Sequence, residues 1–119
     1  IHLHKTGALL KACVRTGAMI AGANEKLLQA LTTYAEGIGL AFQIIDDILD
    51  LTSSSEKLGK TAGKDLLADK TTYPKLLGME ESKKRAFDLV AKAKKAIEPW
   101  GEDAKYLISL ADFITNRDR

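Results

Sequence analysis

Phe42-Gln43-Ile44-Ile45-Asp46-Asp47-Ile48-Leu49-Asp50 closes a long apolar-periodic segment and sets three carboxylates at its end. The periodicity predicts a helix from about Glu25 to Leu51. At about 100° per residue, Gln43, Asp46, Asp47 and Asp50 share roughly a third of its circumference, with Ile44, Ile45, Ile48 and Leu49 mainly on the other sides. Like charges on one face repel each other, and the C-terminal end of a helix adds partial negative charge. Something positive is therefore expected against this face. Hard divalent cations prefer oxygen ligands, and Mg²⁺ is typically held by one or two carboxylates with waters and substrate phosphates. An acidic helix end bathed in solvent is the competing reading.

Working outward, residues from about 5 to 21 carry Leu9, Leu10, Cys13, Val14 and Ile20 among many small residues, which predicts a buried helix. Cys13 is expected inside it as a small hydrophobe. Gly22-Ala23-Asn24 is a break, and Asn24 is placed to cap the long helix. Gly37 and Gly39 inside that helix suggest tight packing against a neighbour. Thr52-Ser53-Ser54-Ser55 opens a polar loop that continues to about Lys70. Tyr73-Pro74 starts a short helix that Gly78 ends. A helix from Ser82 to about Glu98 has a Lys-rich outer face, read as solvated for Lys83, Lys84, Arg85, Lys92, Lys94 and Lys95. Pro99 and Gly101 break it. A last helix runs from Glu102 to about Thr115, with Leu107, Leu110, Ala111 and Ile114 on one stripe. No strand pattern is present, so the fold class is all-α, a helical bundle.

Bulk properties narrow the function. The 119 residues suit one domain, and 45% hydrophobic with 29% charged residues suits a globular chain. A formal net charge of +2 gives no basis for a nucleic-acid partner. No run of 18 apolar residues offers a membrane span. Cys13 is the only cysteine, which excludes an internal disulfide and a cysteine zinc site and suits a reducing compartment. His2 and His4 do not share a helix face and read as terminal residues rather than metal ligands. The abrupt start at Ile1, without Met, suggests a piece of something longer.

The loop after the carboxylates carries chemistry too. Lys60, Lys64 and Lys70 are spread along Gly59-Lys60-Thr61-Ala62-Gly63-Lys64-Asp65-Leu66-Leu67-Ala68-Asp69-Lys70. Glycines let a backbone approach a ligand, and lysines supply point charges for phosphate. Carboxylates beside such lysines suggest a metal carrying a polyphosphate. The loop is not a Walker A motif, because a helix precedes it and Asp65 follows Lys64.

Together these elements resemble a known family. Phe42-Gln43-x-x-Asp46-Asp47-x-x-Asp50, Gly59-Lys60-x-x-Gly63-Lys64-Asp65 and Lys70-Thr71-Thr72-Tyr73-Pro74 are similar to the second aspartate-rich region of the trans-isoprenyl diphosphate synthases, and Lys5-Thr6-Gly7 resembles their Lys-Thr element. The resemblance covers essentially the whole chain but only the C-terminal part of a family member. Thr72-Tyr73-Pro74-x-Leu76-x-Gly78-x-Glu80-x-Ser82 looks most like geranylgeranyl diphosphate synthases.

The resemblance implies the C-terminal part of the isoprenoid synthase fold and a head-to-tail condensation of an allylic diphosphate with isopentenyl diphosphate. It implies Mg²⁺ on Asp46 and Asp50, with Asp47 orienting metal-bound water. Lys5, Lys60 and Lys70 would hold diphosphate oxygens. Thr6 and Gln43 would sit near the ionising carbon, Phe42 would present a ring to the prenyl chains, and Lys64 and Asp65 would support from behind. Plainer readings exist for some: Thr6 as a helix cap, Phe42 as a core aromatic, Lys60 and Lys70 as ordinary loop lysines. The resemblance further implies a homodimer and a soluble protein of cytoplasm or plastid stroma.

One departure matters. The family's first aspartate-rich region, and the basic residues that bind isopentenyl diphosphate, do not occur in these residues. The expectation is one partial domain over residues 1–119 that is inactive alone. A non-catalytic interaction subunit of a prenyltransferase heteromer is the alternative. A class I terpene cyclase is disfavoured, since Asp46-Asp47-Ile48-Leu49-Asp50 is not the Asn-Ser/Thr-Glu pattern expected there.

Overall fold

A computed structural model describes residues 2–56 and 72–117, with the backbone alone for residues 2–5, 53–56 and 73. Among the described residues every regular element is helical. They are α1 (His2–Ile20), α2 (Glu25–Glu56), α3 (Tyr73–Leu77), α4 (Met79–Ile97), a 3₁₀ segment (Glu98–Ala104) and α5 (Lys105–Asn116). The all-α expectation holds.

The turn between α1 and α2 is built from local chemistry. Gly22 takes φ 82°, a left-handed conformation that costs a glycine nothing. Its N–H donates to the Met19 carbonyl, and Ala23 N–H donates to the Ala18 carbonyl, so two orphan carbonyls of α1 are satisfied. Asn24 then caps α2 as expected: its Oδ1 accepts from Leu27 N–H at 2.9 Å. At the other end α2 outruns its expected length. Thr52-Ser53-Ser54-Ser55 suggests a loop, because such residues compete for backbone hydrogen bonds. Instead Thr52 Oγ1 donates back to the Ile48 carbonyl at 3.0 Å, and the helix continues to Glu56. The three aspartates therefore lie before the final turn of α2, and a dipole effect that fades within that turn bears on them less than expected.

α2 is the axis of the bundle. Tyr34, Ile38, Ala41, Ile45 and Ile48 recur at helical spacing and are buried, with Ile44 beside them. They meet Ala86, Val90, Ala93 and Ile97 of α4, Ala104 of the 3₁₀ segment, and Ala111 and Ile114 of α5. Removing a core Ile from such a site typically costs about 2–5 kcal/mol. Tyr34 ties the layers together, because its hydroxyl donates to the Leu107 carbonyl of α5 at 2.7 Å.

Glycine sets the closest approach. A Cβ on Gly37 would lie 3.1 Å from the Leu89 carbonyl oxygen and 3.2 Å from Ala93 Cβ. On Gly39 it would meet Gly7 Cα of α1 at 3.4 Å and Leu10 Cδ2 at 3.5 Å. Both glycines thus mark helix contacts, as their position inside α2 suggested.

α1 departs from expectation. It lies on α2 through Gly7, Leu10 and Ala18, with Lys11 Nζ 3.1 Å from Glu36 and Arg15 Nη1 donating to Thr32 Oγ1 at 2.7 Å. It is not a buried helix here, since Leu9, Met19 and Ile20 are exposed, and so is Cys13. It packs along one side only among the described residues. Leu110 is likewise exposed on a stripe whose Ala111 and Ile114 are buried. Lys94 is not simply solvated, because its Nζ lies 2.6 Å from Asp112 of α5.

Two outcomes are expected from this packing. Gly37→Ala gains helix propensity worth about 1 kcal/mol, but the Leu89 carbonyl is backbone and yields little. Gly37→Ala should therefore melt below Gly39→Ala, whose new methyl makes ordinary contacts; differential scanning calorimetry checks the order. Burial also pushes the Tyr34 phenol from 10.0 up to about 12. As pH rises from 10, the unfolded chain releases this proton while the folded chain keeps it, so stability complete below pH 10 falls toward pH 12. Tyr34→Phe should lose about 1 kcal/mol at neutral pH with its hydrogen bond, yet show a shallower alkaline decline in urea denaturation. Parallel alkaline slopes would contradict the assignment.

Candidate functional site

The packing of α2 decides where its acidic face points. Ile44, Ile45 and Ile48 are driven inward, which turns Gln43, Asp46 and Asp47 to half-buried positions and Asp50 to an exposed one. The face drawn from helical spacing is thus real. Asp46 and Asp50 are one turn apart, a like-charge pair that costs a few tenths of a kcal/mol in an isolated helix.

A positive group does sit here, but it belongs to the protein. Arg117, directly after α5, donates from Nη2 to Asp46 Oδ1 at 2.6 Å. Its guanidinium carbon lies 4.4 Å from the centroid of the Phe42 ring, and Nη2 approaches the Phe42 carbonyl at 3.5 Å. The Arg117 side chain is 11% exposed and that of Asp46 43%, so water reaches the carboxylate more than its partner. The expectation of a cation is met by a guanidinium at Asp46. Asp47 and Asp50 make interactions of their own.

The donor set fits a hard divalent ion in part. Among the described residues no three His, Cys, Asp or Glu converge as a metal cage. One or two carboxylates completed by phosphate and water suffice for Mg²⁺, however, and half-exposed Asp46 with exposed Asp50 on one face offers that chemistry. The pair with Arg117 shows that positive charge is accommodated at Asp46.

The other expected residues are distributed as follows. α1 and α2 run antiparallel from the Gly22 turn, and Gly7 meets Gly39. Lys5 and Thr6 therefore lie toward the turn of α2 that carries Phe42 and Gln43. Thr6 is half-buried and inside α1, which removes the reading of it as a cap. The Lys5 side chain is outside the description, as are Lys60, Lys64, Asp65 and Lys70. Phe42 packs against the core and faces Arg117 as well, so its ring has both a structural and an electrostatic contact. Arg117 escaped the reading of the sequence. Nothing local marks it, and only the return of α5 onto α2 brings it to Asp46.

An all-α bundle with an aspartate-rich face on its longest helix defines a class, and comparison with known proteins names it. The polyprenyl synthetase pattern matches residues 1–107, and the chain belongs to that family. A dimethylallyltranstransferase of Fischerella ambigua (strain UTEX 1903) is 56% identical over 117 residues, covering 98% of this chain and 34% of that protein. A geranylgeranyl diphosphate synthase of Cyanophora paradoxa is 56% identical over 118 residues, covering 99% of this chain and 39% of that protein. The crystal structure of an FPP/GFPP synthase from Zymomonas mobilis, an apo structure, superposes with a TM-score of 0.74 at 37% identity, over 92% of this chain and 34% of that one. The chain thus spans between a third and two fifths of these relatives. No described helix is long and apolar enough to cross a membrane.

Proposed function

We propose that the chain is the second half-site of a Mg²⁺-dependent isoprenyl diphosphate synthase. The reaction is transfer of an allylic prenyl group to isopentenyl diphosphate, giving all-E products such as geranylgeranyl diphosphate. The observation that supports this most directly is the carboxylate face of α2, half-exposed at Asp46 and exposed at Asp50, in a chain of the polyprenyl synthetase family. The names of the relatives agree with the substrate class.

In this reading Asp46 and Asp50 would hold the metal, and Asp47 would orient its water. The ion would supply positive charge against the departing diphosphate. Lys5, Lys60 and Lys70 bind diphosphate oxygens as point charges. Thr6 and Gln43 turn oxygens toward the cationic carbon, and Phe42 lends a π face. Lys64 and Asp65 support Lys60 and Lys70. The whole protein works as a homodimer.

The competing reading is a non-catalytic interaction subunit. The pairing of Asp46 with Arg117 speaks for it, since it neutralises a ligand carboxylate without any metal. Retention of all three aspartates speaks against it. Thermal melting separates the two. Mg²⁺ with pyrophosphate at about ten times Kd should stabilise the 119-residue chain by about 1.4 kcal/mol, a rise of several degrees. Asp46→Asn and Asp50→Asn should each reduce that rise, while pyrophosphate without Mg²⁺ should give little. No rise in any arm would remove the half-site reading.

A second outcome concerns turnover. The residues carry only one aspartate-rich region, so half of the metal cage is lacking. The isolated 119 residues should release no measurable prenyl diphosphate from dimethylallyl and isopentenyl diphosphates in a radiolabel assay. Ordinary turnover would show that a single aspartate-rich region suffices.

A further inference from the structure

We propose that Arg117 is a displaceable internal cation: it occupies the Asp46 carboxylate until a divalent ion takes that oxygen, and metal binding drives it off. The inference rests on the reading of Asp46 as a metal ligand. It adds the device that guards the ligand beforehand.

Three observations carry it. The first is the contact itself, with Arg117 Nη2 at 2.6 Å from Asp46 Oδ1. A guanidinium cannot vacate the oxygen by losing its proton, since it stays charged at any working pH. It must be outcompeted. The second is access. Asp46 keeps 43% of its side chain exposed while Arg117 is 11% exposed, so an ion from solvent meets the carboxylate without first unburying the arginine. The third is where Arg117 sits in the chain. α5 ends at Asn116, and Arg117 caps it with extended backbone, φ −74° and ψ 153°, while its N–H donates to the Phe113 carbonyl, so its side chain leaves from the very end of the helix. The Phe42 ring, 4.4 Å from the guanidinium carbon, gives it a resting contact that does not depend on Asp46.

A permanent strut between α5 and α2 would look similar at rest. The two differ in their response to metal. If Arg117 competes for Asp46, the apparent affinity for metal is the intrinsic affinity multiplied by the fraction of chains in which the oxygen is free. A charge-assisted hydrogen bond, discounted for the exposure of Asp46, puts that factor at about three- to tenfold.

Isothermal calorimetry of the 119-residue chain with Mg²⁺ alone provides the first readout. Arg117→Gln should bind Mg²⁺ about three- to tenfold more tightly than the unmodified chain. Arg117→Lys, which restores the charge, should return toward the original affinity. The second readout needs no variant: Mg²⁺ should speed tryptic cleavage after Arg117 relative to cleavage after Lys105, followed by mass spectrometry. It stands even if Arg117→Gln does not fold. Equal Mg²⁺ affinity in Arg117→Gln, with cleavage after Arg117 indifferent to Mg²⁺, would make Arg117 a strut and overturn this inference while leaving Asp46 a ligand. Failure of the unmodified chain to bind Mg²⁺, with or without pyrophosphate, would instead bring down the ligand reading and this inference with it.

Discussion

The bundle depends on how closely α2 can approach α4. At Gly37 the separation is tight: a methyl there would lie 3.1 Å from the Leu89 carbonyl oxygen and 3.2 Å from Ala93 Cβ. Small residues on α4 (Ala86 and Ala93) continue the same seam, and both are buried. Close packing of this kind tolerates little rotation, since interiors are as dense as organic crystals. The rotation of α2 about its own axis is thereby set. Every residue at the far end of the helix inherits it, including the carboxylates more than two turns beyond Gly37.

That inheritance links core to site. Ile44, Ile45 and Ile48 complete the buried stripe that Tyr34 and Ile38 begin. Gln43, Asp46, Asp47 and Asp50 are what remains of the same turns once those side chains are inside. Tyr34 adds a directional constraint to a seam that is otherwise non-directional, since its hydroxyl fixes α5 along the helix through the Leu107 carbonyl. With α5 so fixed, the residue just beyond its last turn arrives beside Phe42 and Asp46. A hydrogen bond at Tyr34 therefore helps to place an ion pair about three turns further along α2.

Much of this could be read from residue order, and the exceptions have definite causes. Periodicity placed α2, α4 and α5 because each buries one apolar stripe, and Asn24 announced the start of α2 by its cap chemistry. The Thr52–Ser55 stretch is ambiguous in sequence, because hydroxyl residues suit both a turn and a helix end; in the structure the helix continues and Thr52 satisfies its hydroxyl on the Ile48 carbonyl. Cys13 was expected inside because α1 is rich in small and apolar residues. That composition says a helix can be approached closely, not on how many sides it is covered. Lys94 and Asp112 look like separate surface charges, and only the packing of α5 on α4 joins them. The acidic face was legible because its residues lie within nine positions of one another. Arg117 was not, because it is brought to Asp46 by three-dimensional structure alone.

If Asp46 is a metal ligand, as proposed, the nature of the two cations explains how one oxygen could serve both. A guanidinium spreads a single charge over a plane and is weakly hydrated, so it rests comfortably between a carboxylate and an aromatic ring. Mg²⁺ concentrates two charges, gives up water reluctantly and needs further oxygens around it. Asp46 alone therefore favours the arginine, whose ring contact is already in place. A metal accompanied by a polyphosphate brings its own oxygens and can draw on Asp50 one turn away, a carboxylate exposed to solvent. On the proposed reading Mg²⁺ alone competes with the arginine at Asp46, and the accompanying diphosphate strengthens that competition. On the proposed reading, Asp46 guarded in this way would be stabilised at rest and still open to a metal–diphosphate substrate. On that reading stability and metal binding need not make opposite demands on Asp46.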